Sequence, residues 1–148
     1  MYNPIYMSNN FLSLAYQQKE RITSMKMQKM LYFLYRDYLQ GSGIAIFSER
    51  FSVWKYGPVL ETVYHTYKRF GSGGIIGYGG NPAYSIREED DPLLEKLLKK
   101  VWSQSLPYSG IGLSRLTHHS EGAWYKAWST GLPFLRDEDI LADLVQIG

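Results

Sequence analysis

Apolar residues along this chain recur at spacings of three and four, the period of a helix that buries one face. A clear run is Leu60, Val63, Tyr64 and Tyr67, approached through Ser52-Val53-Trp54-Lys55-Tyr56-Gly57-Pro58-Val59. Pro58 suits a first helical position, where its missing N–H would have no partner, and Gly57 allows a tight turn before it. A helix is therefore predicted to open at Gly57-Pro58 and to end at Phe70-Gly71, with Gly71 as its C-cap. Upstream, Thr23 or Ser24 is a good N-cap for a helix that runs to about Gln40 and stops at Gly41. Met27, Met30, Leu31, Leu34, Tyr35 and Tyr38 share one face of it, and Lys26, Lys29, Phe33, Arg36, Asp37 and Gln40 share the other. Phe33, an aromatic on that polar face between Lys29 and Arg36, is either covered by a neighbouring element or waiting for a partner.

The other segments extend the same pattern. Asn9-Asn10 caps a short predicted helix through about Gln18, with Phe11, Leu14 and Ala15 inward. After the break at Gly41-Ser42-Gly43, residues 44–51 read as extended and carry Ile46, Phe47 and Phe51 into the core. Residues 71–87 are rich in glycine around Ile75-Ile76 and Ala83-Tyr84-Ser85-Ile86, which predicts a two-stranded hairpin with a long loop. Neither a GxGxxG nor a Walker lysine accompanies those glycines, so a phosphate cradle is not expected. Asp91-Pro92 opens a helix with Leu94, Leu97, Leu98, Val101 and Trp102 as its buried stripe, and Glu95 and Lys99 form an i,i+4 pair. Ser109 caps a helix from Gly110 to Thr117, and Ser120-Glu121 opens another with Trp124, Ala127 and Trp128 inward. Asp137 caps a last helix to about Gln146, with Ile140, Leu141, Leu144 and Val145 apolar. The expectation is a mostly α, compact multi-helix single domain over residues 1–148, with a small inserted β-hairpin.

Composition narrows the function classes. A chain of 148 residues without cysteine has no disulfide framework and no thiolate zinc site, and at this length a core forms without either. Met1-Tyr2-Asn3-Pro4 has no basic segment leading into an apolar one, and no apolar run reaches membrane-spanning length, so a cytoplasmic location away from membranes is expected. Thirteen Tyr, six Phe and four Trp exceed what one core of this size needs, which sends some of them to the surface, where Tyr and Trp favour protein contacts. Residues 19–69 carry nine basic side chains against four acidic, whereas residues 70–148 carry seven against ten. Such a dipole suits steering toward a protein partner or self-association better than nucleic acid, which calls for a more continuous basic face.

No catalytic constellation is legible. His118 and His119 are adjacent and point about 100° apart on a helix end, a poor chelate, and no HExxH is present. His118 reads as a helix-end hydrogen-bonding residue, and His65, between Glu61 and Arg69, as part of a solvated ion-pair ladder. Ser114 and Ser120 lie near His118, but neither sits in a nucleophile elbow and no carboxylate is spaced to orient the imidazole. An enzyme built on His118 and Glu121 is the remotest reading, and no cofactor or metal is expected. Residues 109–128 imitate a helix-turn-helix, so a DNA-binding regulator is the alternative function, although the second helix offers Glu121, Tyr125 and Trp128 with Lys126 as its base.

Three blocks together resemble one family. They are Ile22-Thr23-Ser24-Met25-Lys26-Met27-Gln28-Lys29-Met30-Leu31-Tyr32-Phe33; then Phe51 through Trp54, Tyr56, Gly57, Pro58 and Val59 to Tyr64; then Leu113-Ser114-Arg115-Leu116-Thr117-His118 with Trp124 and Ala127. This order and spacing, across about residues 10–130, is similar to the Panacea domain, the SocA-like or phage-associated domain. Met27 and Met30 stand where the family usually has Leu, and Gly122-Ala123 stands before Trp124 where an acidic residue and Pro are commoner. The resemblance implies a non-enzymatic antitoxin of a bacterial or prophage toxin–antitoxin system, neutralising a co-encoded toxin by direct binding. It also implies that the motif residues are mainly scaffold. Lys26, Lys29, Phe33 and Arg36, with Tyr78 and Tyr84 at the expected hairpin tip, are then the predicted toxin contacts.

Overall fold

In the computed structural model, which describes residues 1–148, the elements are α1 (Pro4–Gln18), α2 (Ser24–Ser42), β1 (Ser52–Trp54), β2 (Gly57–Val59), α3 (Glu61–Tyr67), α4 (Pro92–Ser105), α5 (Gly110–Thr117), α6 (Ala123–Ser129) and α7 (Asp137–Leu141). A single turn of 3-10 helix, Lys68–Phe70, extends α3. The fold is mostly α with one small antiparallel hairpin, as the pattern predicts. No helix is long and apolar enough to cross a membrane.

Helix α2 is the hub. Thr23 caps its first turn through the side-chain oxygen, and Gly43, at φ 75°, closes it two residues beyond the expected end. Fourteen of its nineteen residues are buried, because α1, α4, α5, α7 and β2 all pack around it. A helix enclosed in this way has no solvent face. Lys26, Lys29, Phe33 and Arg36 are buried with the rest, which corrects the expected exposed face. Phe33 is covered completely: Tyr32 meets its ring edge-on, and the Arg36 guanidinium lies 4.9 Å from its centroid.

The polar side chains of α2 survive burial by bonding the backbone of irregular segments, the requirement for any buried polar group. Arg36 donates to the Val145 carbonyl, and Gln40, itself exposed near the end of α2, donates to the carbonyls of Ile140, Leu141 and Asp143. The Asp143 carboxylate accepts from Tyr32 at 2.5 Å and contacts His119 Nε2 at 2.9 Å. These grips pull the chain out of helical geometry after Leu141, so the last helix has five residues rather than extending to Gln146. Leu141 and Leu144 are exposed, and Ile140 and Ile147 are buried.

Helix α1 treats the glycine-rich segment similarly. It starts at Pro4 under an Asn3 cap, so Asn9 and Asn10 lie inside it instead of capping it. Asn10 bonds Ile86 N and O at 2.8 and 2.9 Å, and Asn9 bonds Gly79 N and O at 2.8 and 2.9 Å. Tyr16 donates to the carbonyls of Ile75 and Gly77 at 3.0 and 2.6 Å. With those groups engaged by α1, residues 71–87 form no hairpin; their one bridge joins Gly74 to Thr23. A Cβ at Gly79 would stand 2.6 Å from the Tyr67 hydroxyl, so only glycine admits this close approach.

The hairpin lies earlier, where a helix start was predicted. Ser52 pairs with Val59, Val53 with Pro58 and Trp54 with Gly57, leaving Lys55 and Tyr56 as the turn. Val53 sends its N–H outward to the Pro133 carbonyl at 3.1 Å, so no ladder bond requires the N–H that Pro58 lacks. The same Gly-Pro pair thus fits a strand, and α3 begins three residues later, at Glu61.

Candidate functional site

The three motif blocks meet at this hairpin, and their polar side chains close on its backbone. From α2, Gln28 accepts from Leu60 N at 2.8 Å and donates to Leu60 O at 3.0 Å, while Lys29 Nζ donates to Pro58 O at 3.1 Å. From α5, the Ser114 hydroxyl donates to the Tyr56 carbonyl. From α6, Trp124 Nε1 donates to Trp54 O at 2.8 Å. Gly57 sits at φ 114°, and a Cβ there would stand 2.7 Å from Thr117 Oγ1 and 3.1 Å from Lys29 Cε. The hairpin is therefore clamped from behind on both strands, and its turn points outward, with Tyr56 56% exposed and Lys55 exposed.

Beside the hairpin is a cavity of about 450 Å³. Met25, Trp54, Tyr56, Val59 and Tyr64 supply apolar and aromatic wall, and Lys29, Lys55 and Lys68 supply amines. Trp54 meets Tyr64 edge-on at 4.9 Å between centroids. Lys29 is 1% exposed, and burial pushes its amine down to about 7. Burial, and then the charge of Lys29, pushes the His118 imidazole down as well.

A second aromatic surface adjoins the hairpin through α6. His118 stacks on Trp124 at 4.0 Å, and Trp124 stacks on Trp128 at 5.1 Å. Trp128, expected inward, is 50% exposed at the end of this stack, because Trp124 and Ala127 already fill the space beneath α6. The His118 side chain makes no helix-end hydrogen bond; its Nε2 is buried without a partner. His65 lies 3.3 Å from Lys68 Nζ rather than in a ladder with Glu61, which accepts from the Ser52 hydroxyl at 2.7 Å.

The predicted site residues therefore separate. Lys26, Lys29, Phe33 and Arg36 are interior, and of these only Lys29 lines the cavity. Tyr84 stacks on Tyr6 at 5.2 Å and is exposed, and Tyr78 is half-buried edge-on to Tyr16, both against α1 rather than at a hairpin tip. No hydrogen bond joins His118, Glu121, Ser114 and Ser120 into a relay. The second helix of the helix-turn-helix-like segment begins at Ala123 and has seven residues. Sequence reasoning ranked Tyr56 as scaffold and did not single out Lys55 or Lys68; the signal was the Lys-Tyr pair immediately before Gly-Pro, which is a turn once Gly57-Pro58 is read as strand.

A family model described as antitoxin SocA-like, Panacea domain, matches residues 27–125. The chain belongs to that family. Comparison with curated proteins and with solved structures gives no match. The matched span of this SocA-like chain reaches into all three blocks that converge on the hairpin, leaving out residues 22–26 and Ala127, and the motif residues Met27, Gln28, Lys29, Leu31, Tyr32, Phe33, Leu116, Thr117 and Ala127 belong to the core and the clamp around it.

Proposed function

We propose that this chain is the antitoxin of a bacterial or prophage pair and neutralises its co-encoded toxin by direct, non-catalytic contact through the hairpin turn and the outer end of α6. The observation that carries this reading is the exposure of Tyr56 and Trp128 at the place where the family's motif side chains converge. Half-exposed Tyr and Trp on a rigid mount supply interface area at low entropic cost. The α5–α6 pair offers Arg115 and Lys126 as its only Lys or Arg residues beside exposed Ile111 and Trp128, which supports protein contact over DNA reading. Expression of the adjacent open reading frame with and without this chain tests the proposal. Toxicity that this chain relieves is expected, and a neighbour harmless by itself refutes it.

A further inference from the structure

Every residue around the cavity beside the hairpin lies between Ser24 and Gly71, inside the stretch of the chain with the basic surplus. No carboxylate lines it. Five cations outside it pair with carboxylates, Arg36 with Asp37, Arg87 with Glu89 and Asp90, Lys99 with Glu95, Lys100 with Asp37, and Arg136 with Glu138 and Asp139, while others such as Arg50 and Lys126 carry no ion pair. Lys29, Lys55 and Lys68 form no such pair. Lys29 Nζ has one acceptor, Pro58 O at 3.1 Å. Lys55 Nζ lies 5.5 Å from the centroid of the Tyr56 ring, and Lys68 Nζ contacts an imidazole. A concave aromatic pocket with unmatched cations is complementary to an apolar group carrying negative charge, and its volume of about 450 Å³ falls in the range of small-ligand sites, roughly 300–1,000 Å³.

We propose that this cavity seats an apolar side chain adjoining a carboxylate on the toxin, an anchor presented by an acidic segment of the partner's surface. The partner's identity rests on the antitoxin reading, and the anchor's chemistry rests on the cavity. The aromatic walls take the side chain, and Lys55 and Lys68 meet the carboxylate at the mouth. The exposed Tyr56 closes one side of the seat, so the anchor and the turn form one continuous surface.

Two measurements decide it. In an NMR titration of the full chain with N-acetylphenylalanine, the Trp54 indole resonance is expected to shift, with affinity about tenfold above that for the uncharged N-acetylphenylalaninamide. Lys55→Glu/Lys68→Glu is expected to remove that preference without lowering Tm. Equal affinity for the two probes, an unmoved Trp54 resonance, or equally tight binding of inorganic phosphate overturns the proposal; the phosphate result would mark a general anion or nucleic-acid site. In co-expression the double variant is expected to lose protection against the toxin, and retained protection overturns the docking assignment while leaving the antitoxin reading intact. If the neighbouring gene product is harmless, the antitoxin reading fails by itself and the titration still decides the chemistry of the cavity.

Discussion

Replacing Lys29 by Met removes an amine that folding buries almost completely, and the structure sets how this changes stability with pH. In the folded chain the amine lies behind the hairpin with its pKa lowered to about 7, against 10.5 as the ordinary value. His118, Lys55 and Lys68 are the ionisable nitrogens near it, and none of them compensates a buried ammonium. Between those two pKa values the unfolded chain holds a proton that the folded chain has lost, so the free energy of unfolding rises with pH, with a limiting slope of about 1.4 kcal/mol per unit. From about pH 7.5 to about pH 9 this amounts to about 2 kcal/mol. Lys29→Met is expected to lose that increment. It also forfeits the bond to Pro58 O, about 1 kcal/mol at any pH, so the stability of the variant relative to the parent is expected to be highest below pH ~7 and to fall by about 2 kcal/mol across that window. Tyr32, Tyr35, Tyr38 and Tyr67, all raised by burial first, titrate above this window and leave the comparison unaffected. Urea unfolding followed by tryptophan fluorescence at steps of pH supplies the numbers. A difference between parent and variant that stays constant across the window would refute a neutral, buried amine.

Other substitutions probe the remaining grips. Gly57→Ala forces a Cβ onto a left-handed backbone beside Thr117 and is expected to cost roughly 1–3 kcal/mol from strain alone, read as a lower urea midpoint. Asp143→Ala strips the buried Tyr32 hydroxyl, His119 and Arg36 of their shared carboxylate, and a loss on the order of 3–5 kcal/mol is expected by the same assay. Asn10→Ala unpairs Ile86 N and O at one edge of the glycine-rich segment, so hydrogen exchange there is expected to accelerate while α2 stays protected.

Where a cap and an apolar stripe coincided, the elements were legible in the chain: Thr23 before α2, Asp91-Pro92 before α4 and Ser109 before α5 all begin as read. Three-residue strands have too little alternation to register, and Gly57-Pro58 satisfies helix-start and strand chemistry equally, so the hairpin was placed at the wrong glycines. The polar face of α2 misled for a different reason. Polarity marks a hydrogen-bonding partner, and periodicity alone does not say whether that partner is water or the backbone of a segment distant in sequence. Gln28 bonding Leu60, Arg36 bonding Val145 and Asn10 bonding Ile86 are all of the second kind. The same burial moved the candidate site from α2 to the turn that α2 helps to hold.

The clamp on the hairpin has an evolutionary corollary. Gln28, Lys29, Ser114 and Trp124 all grasp main-chain atoms, which every amino acid supplies alike. The mount is consequently indifferent to what stands at positions 55 and 56, so those two residues can drift, or be randomised in a display library, while the geometry that presents them is inherited unchanged. A turn of this kind is an interchangeable head on a fixed shaft, a simple physical route by which one scaffold can acquire new binding specificities without refolding.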